Sequence, residues 1–272
     1  MNASRRFAIF VDGSNLIGDL RTLNLHVGDY EQFFSYLFKQ SVEAWKCCFH
    51  DTSLPAVELR RVYWYALGHI DDWDLSNTEA LKFLREQFEK DKVGYKDAIS
   101  NAGKTNPGKS QSAIAEAAWQ AYIADRRSWY DSKKDQIASM KRFYHGIRRD
   151  TDFIDVRDVA HWKVNFADRR VDEKGLDTAL AVDMVALEQN YDVAILISGD
   201  ADNLPGINYI KEHNKTVGLV EFLKGHPPEK RGRNTSNRLK LQADFIVQIY
   251  ETDLTKQKVA STPQPTITTF KK

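Results

Sequence analysis

The sequence predicts an α/β protein: a parallel sheet flanked by helices, with a helical insertion. Three observations carry this. Two short runs, Phe7 to Val11 and Val193 to Ile197, are continuously apolar, the pattern of strands buried on both faces. Segments with apolar residues every three or four positions alternate with such runs, as in a parallel sheet with crossover helices. Between about 70 and 150 the chain changes character and becomes rich in charges and helix formers.

The elements follow in order. Phe7 to Val11 is a buried strand that ends in Asp-Gly-Ser-Asn, a turn. Residues 14 to about 48 show helical spacing through Phe33, Phe34, Leu37, Phe38, Val42 and Trp45. Leu59 to Leu67 is rich in β-branched and aromatic residues and reads as the second strand. In the insertion, helices are expected near 77–92 and 110–148, separated by a turn or loop from Asn101 to Lys109. Trp119, Tyr122, Ile123, Trp129 and Tyr130 form an aromatic stripe, which reads as the core seam of a helical hairpin. Strand character resumes at Phe153 to Arg157. A helix follows at 176–187, then the strand 193–197, a helix at 204–213, a strand at 216–220, a helix at 234–243 and a last strand at 245–249. Residues 251–272 are polar and are expected to be a flexible C-terminal tail.

Composition bounds the function loosely. A chain of 272 residues with 42% hydrophobic content can bury one large core. The net charge of +1 names no partner, because an acidic site can cancel a basic rim. Cys47 and Cys48 are adjacent and read as reduced thiols, which suits a cytoplasmic setting. No segment has the roughly 18 apolar residues that a membrane span needs. A soluble protein without a membrane partner is expected. No feature encodes an oligomeric state, and a homo-oligomer is left open.

The chemistry-bearing residues sit at strand ends. Asp12 follows the strand ending at Val11. Asp200 and Asp202, in Ser198-Gly-Asp-Ala-Asp202, follow the strand ending at Ile197. Ligands of open parallel sheets bind beyond the carboxyl ends of the strands. If the two strands are neighbours, three carboxylates converge there. Asp177, in Lys174-Gly-Leu-Asp177, falls at a helix start, where a carboxylate suits the positive helix end. Clustered carboxylates repel one another unless protons or cations neutralise them. A hard divalent ion, Mg²⁺ or Mn²⁺, takes oxygen ligands and supports phosphodiester hydrolysis. Asp183 lies six residues after Asp177, roughly 240° round a helix at ~100° per residue. It is an outer-shell or structural candidate.

At these residues the sequence resembles the NYN family, a branch of the PIN-like nuclease superfamily. Three blocks carry the resemblance in order: Ile9 to Leu16, Lys174 to Asp183, and Tyr191 to Asp202. It implies a PIN-like sheet, an acidic metal site, which the carboxylate ligands suit to Mg²⁺ or Mn²⁺, and cleavage of RNA; DNA is left open as a partner. It makes Asp12, Asp177, Asp200 and Asp202 the metal and catalytic residues. Asn15 becomes a partner that orients Asp12 or meets substrate, and Ser14 and Ser198 line the crevice. A Phe is common in the family where Asn203 stands here. A binding module that keeps the fold without turnover is the competing reading.

Lys174 and the basic loop with Lys230, Arg231 and Arg233 are the candidate substrate contacts. The loop follows a parallel strand and is expected at the same sheet edge as the aspartates. Other acidic-site classes fit less well. A haloacid-dehalogenase phosphatase needs Asp where Ser14 stands, and an adhesion-type metal motif needs Ser where Leu16 stands.

Overall fold

The computed structural model describes residues 4–49, 56–229, 232 and 235–263. The chain divides into two compact units. The first comprises the described parts of Met1–Leu67, Phe143–Val159 and Gly175–Lys272, and the second comprises Gly68–Arg142 and Ala160–Lys174.

The elements, in chain order, are β1 (Arg5–Asp12), α1 (Gly13–Thr22), α2 (Tyr30–Phe49), β2 (Val57–Ile70), α3 (Thr78–Lys90), α4 (Lys92–Thr105), α5 (Gln111–Asp150), β3 (Ile154–Asn165), β4 (Arg170–Lys174), α6 (Leu176–Ala186), β5 (Val193–Ile197), α7 (Leu204–Glu212), β6 (Thr216–Leu223), α8 (Asn237–Gln242), β7 (Phe245–Tyr250) and α9 (Glu251–Lys256). Among the described residues, seven strands form one sheet in the order β4-β3-β2-β1-β5-β6-β7. The pairs β1–β2, β1–β5, β5–β6 and β6–β7 are parallel. The β3–β4 pair is antiparallel, so the sheet is mixed rather than purely parallel. This is the α/β, PIN-like architecture expected, with one unexpected edge strand. The sequence Arg170-Val-Asp-Glu-Lys174 lacks the apolar run that marks a buried strand, because an edge strand need bury little.

The central strands behave as their composition requires. Every residue of β5 is buried, and β1 is buried from Phe7 onward. Register places Val11 opposite Ile197 and Asp12 opposite Tyr65. The ends of β1 and β5 are therefore side by side, the condition on which convergence of the aspartates depended. α2 covers this sheet with Phe33, Phe34 and Leu37, and Phe7 meets Trp45 edge-on at 5.7 Å.

Other boundaries differ from the sequence reading. The helical stretch at 14–48 is two helices, because Asn24 takes a left-handed turn at φ 53° and Leu25 and Val27 are buried between them. The break expected from Asn101 starts later, since α4 continues to Thr105. Residues 251–263 are not a free tail. α9 forms there and buries Leu254, Val259 and Ala260 are buried after it, and Ser261 pairs with His26. The polar side chains conceal these few anchors. Residues 264–272 of the expected tail lie outside the described residues.

The second unit has its own core. Trp119, Ile123 and Tyr130 of α5 pack with Leu84 and Phe88 of α3 and with Phe166. The aromatic stripe is thus an interior seam. The Tyr130 hydroxyl donates to the Asp71 carbonyl at 2.7 Å and accepts from Trp73 N–H at 2.9 Å.

Candidate metal centre at the strand ends

Asp12 is the last residue of β1 and the N-cap of α1. It is 3% exposed. Its carboxylate accepts the Asn15 backbone N–H at 2.8 Å and the Asn15 side-chain amide. Asn15 therefore holds the Asp12 carboxylate in place. The turn into α1 leaves no room for a side chain at position 13. A Cβ on Gly13 would lie 2.4 Å from Trp64 Nε1 and 2.5 Å from the Tyr65 carbonyl oxygen. Ser14 follows in the first helical turn and is exposed.

The loop after β5 is organised by its own polar groups. Ser198 is 4% exposed, and its hydroxyl accepts the Asp200 N–H at 3.1 Å. Asp200 caps the 3-10 turn at Ala201–Asn203 and accepts the Asp202 N–H at 3.0 Å. Asn203, where a Phe is common in the family, is fully buried and donates to the Ser198 hydroxyl at 3.1 Å. The polar substitution thus adds a brace beneath the aspartates.

Asp177 stands in the first turn of α6. Gly175 before it holds φ 91°, a left-handed conformation that other residues rarely adopt. Oxygen atoms of Asp177, Asp200 and Asp202 lie within 4.8 Å of one another. Burial, followed by the charges of Asp12, Asp200 and Asp202, pushes the Asp177 carboxyl up to about 6. Its Oδ1 is buried without a hydrogen-bond donor. The charges of the other three predicted aspartates thus all bear on Asp177, and Asp177, Asp200 and Asp202 approach one another directly.

Asp183 faces elsewhere. It forms an ion pair with Arg157, which also binds Asp155 at 2.8 Å and lies 4.5 Å over the Tyr63 ring. Burial and the Asp183 charge both raise the Tyr65 phenol well above its ordinary value. Asp183 thus belongs to a structural ion-pair network. Asp155 and Arg157, two positions apart on β3, share a face of the strand, a local signal for their ion pair.

The cationic candidates divide. Lys174 is the exposed last residue of β4, paired with His161 in the second unit. The loop after Leu223 leaves the carboxyl end of β6, and Gly232 bridges back to Leu223. Lys230, Arg231 and Arg233 lie outside the described residues. Cys47 and Cys48 are free and exposed. No helix among the described residues is long and apolar enough to cross a membrane.

The mixed sheet, with Asp12, Asp200 and Asp202 at or beyond the ends of adjacent strands, is consistent with a PIN-like α/β fold. The NYN domain pattern matches residues 6–249, and the chain belongs to the NYN domain family. No curated protein matches it. A crystal structure of a protein of unknown function from Vibrio parahaemolyticus is similar over 92% of this chain and 95% of that one, at 16% identity and a TM-score of 0.42.

Proposed function

We propose that the protein is a divalent-metal-dependent nuclease that hydrolyses RNA phosphodiester bonds at the aspartate cluster. The observation that carries this reading is the approach of Asp177, Asp200 and Asp202 to within 4.8 Å. Such a group is costly without a neutralising partner. The donor set suits a hard cation, because every candidate ligand is a carboxylate oxygen. The orphaned Asp177 Oδ1 supports the same reading, since a buried acceptor without a partner is disfavoured.

Asp177, Asp200 and Asp202 would hold Mg²⁺ or Mn²⁺, and buried Asp12 adds negative charge beside them. When bound, the cation supplies Lewis-acid activation of water and neutralises charge developing on the phosphate. The chain's own residues do the positioning. Asn15 fixes the Asp12 carboxylate, while Ser198 and Asn203 hold the loop that carries Asp200 and Asp202. Loss of such a supporting hydrogen bond typically costs about 10–100-fold in metal affinity or activity. RNA as substrate is supported by membership of a nuclease-related family.

The experiment is cleavage of labelled RNA and DNA under Mg²⁺, Mn²⁺ or chelator, comparing wild type with Asp12→Asn and Asp200→Asn. The reading requires metal-dependent cleavage that both substitutions abolish. RNA binding without cleavage under either metal would instead favour a module that has lost turnover.

A further inference from the structure

A groove of about 640 Å³ begins at Asp202 and runs between α7 and α8. One wall is formed by Leu204, Pro205 and Asn208 of α7, spaced to share a helical face. The other is formed by Arg238, Leu241 and Gln242 of α8. The groove is fixed to the aspartate loop, because Ser236 N–H donates to the Gly199 carbonyl at 3.2 Å just before α8 starts.

The charges within it are unequal. Lys211 is committed to Asp244 at 2.8 Å and to the Gln242 carbonyl, and Lys240 is committed to Glu221. Arg238 is exposed and has no ion pair or hydrogen bond among the described residues. The side-chain amides of Asn208 and Gln242 likewise have no hydrogen-bond partner among the described residues. Leu241 is 84% exposed, a large apolar side chain beside these unspent donors. This set matches one ligand class. A guanidinium takes a phosphate or stacks on a base plane, amides read base edges, and apolar side chains pack on the base or sugar.

We propose that the α7–α8 groove holds the single-stranded nucleotide next to the phosphate placed at the aspartate cluster, with Arg238 as its anchor. This rests on the nuclease reading of the cluster and adds where the substrate strand lies. A site of this volume has room for a nucleotide. Asn208 and Gln242 then give the protein a base preference at that one position, and Leu241 shields the base from water.

The test is binding of a short single-stranded RNA to the full chain in Ca²⁺ by fluorescence anisotropy, followed by photocrosslinking with 4-thiouridine at successive positions. Arg238→Glu is expected to weaken binding about tenfold and to make the salt dependence shallower by about 1. Lys39→Glu, on an exposed part of α2, makes the same charge change and is expected to do less. Crosslinks are expected in 201–212 and 235–243, and Asn208→Ala is expected to flatten the base preference. Equal binding by wild type and Arg238→Glu, or crosslinks elsewhere, would overturn the groove while leaving the metal centre intact. A change in sedimentation with Leu241→Glu, with RNA binding untouched, would make this face a protein contact and also overturn it. Wild type that neither binds nor cleaves any RNA would remove both the groove and the nuclease reading.

Discussion

The Asn15 backbone N–H donates to the Asp12 carboxylate at 2.8 Å, and the Asn15 side chain donates to its other oxygen. One residue thus fixes both oxygens of the buried aspartate at the end of β1. Asn15→Ala keeps the backbone bond and removes the side-chain bond to the second oxygen. The expected result is a loss of metal affinity or activity of roughly 10–100-fold, with little change in melting temperature. The measurement is a metal titration of cleavage rate beside a thermal melt. A loss of stability matching the loss of activity would make Asn15 only a structural brace of the α1 N-terminus.

Asp177 gives a pH prediction with a definite sign. Its folded-state value is raised from 3.8 to about 6. The folded chain therefore holds this proton more tightly than the unfolded chain does. The stabilisation is complete below the unfolded value and is lost as pH rises through about 6. In chelator, Asp177→Asn should gain stability relative to wild type across that window, because it removes the charge that becomes costly. Mg²⁺ should raise the wild-type melting temperature above the window and have little effect below it. Parallel melting profiles for the two proteins would contradict the shift.

The Asp183–Arg157 ion pair predicts a different phenotype from that of the cluster. Asp183→Ala leaves a half-buried guanidinium short of a partner. A cost of about 1–3 kcal/mol is expected from loss of a charged hydrogen bond. Metal affinity should stay within a few-fold of wild type, since Asp183 is not among the charges acting on Asp177. Calorimetric metal titration separates the outcomes: a collapse of affinity would return Asp183 to the metal site.

Gly13 sits where β1 turns into α1. Its absent Cβ would lie 2.4 Å from Trp64 Nε1 and 2.5 Å from a backbone oxygen. Gly13→Ala must displace β2 backbone or the Trp64 ring. The expected cost is on the order of 1–3 kcal/mol, lowering the melting temperature by roughly 2–4 °C per kcal/mol. Tryptophan fluorescence should shift with it. An unchanged melt would contradict the packing described.

Much of the site could be read before the fold was seen, for a physical reason. A buried central strand must be continuously apolar, so its end is sharp, and polar residues there stand at the ligand edge. Asp12, Asp200 and Asp202 were located in this way. Helical periodicity separated Asp183 from Asp177, and the Arg157 ion pair accounts for where Asp183 goes. What was hidden depends on contacts distant in sequence or on sparse burial. Arg238 has no local pattern; only the packing of α8 beside α7 and the bond from Ser236 to Gly199 bring it near Asp202. β4 and α9 were missed because each buries too few side chains to produce a periodic signal.

The most direct test of the account is the cleavage rate of a labelled single-stranded RNA by wild type and Asp200→Asn, with Mn²⁺ or Mg²⁺ and with chelator. Wild type is expected to cleave only with the metal and to stop in chelator, and the rate is expected to fall at least about a hundredfold in Asp200→Asn. Cleavage that survives chelator and is undiminished in Asp200→Asn would contradict it.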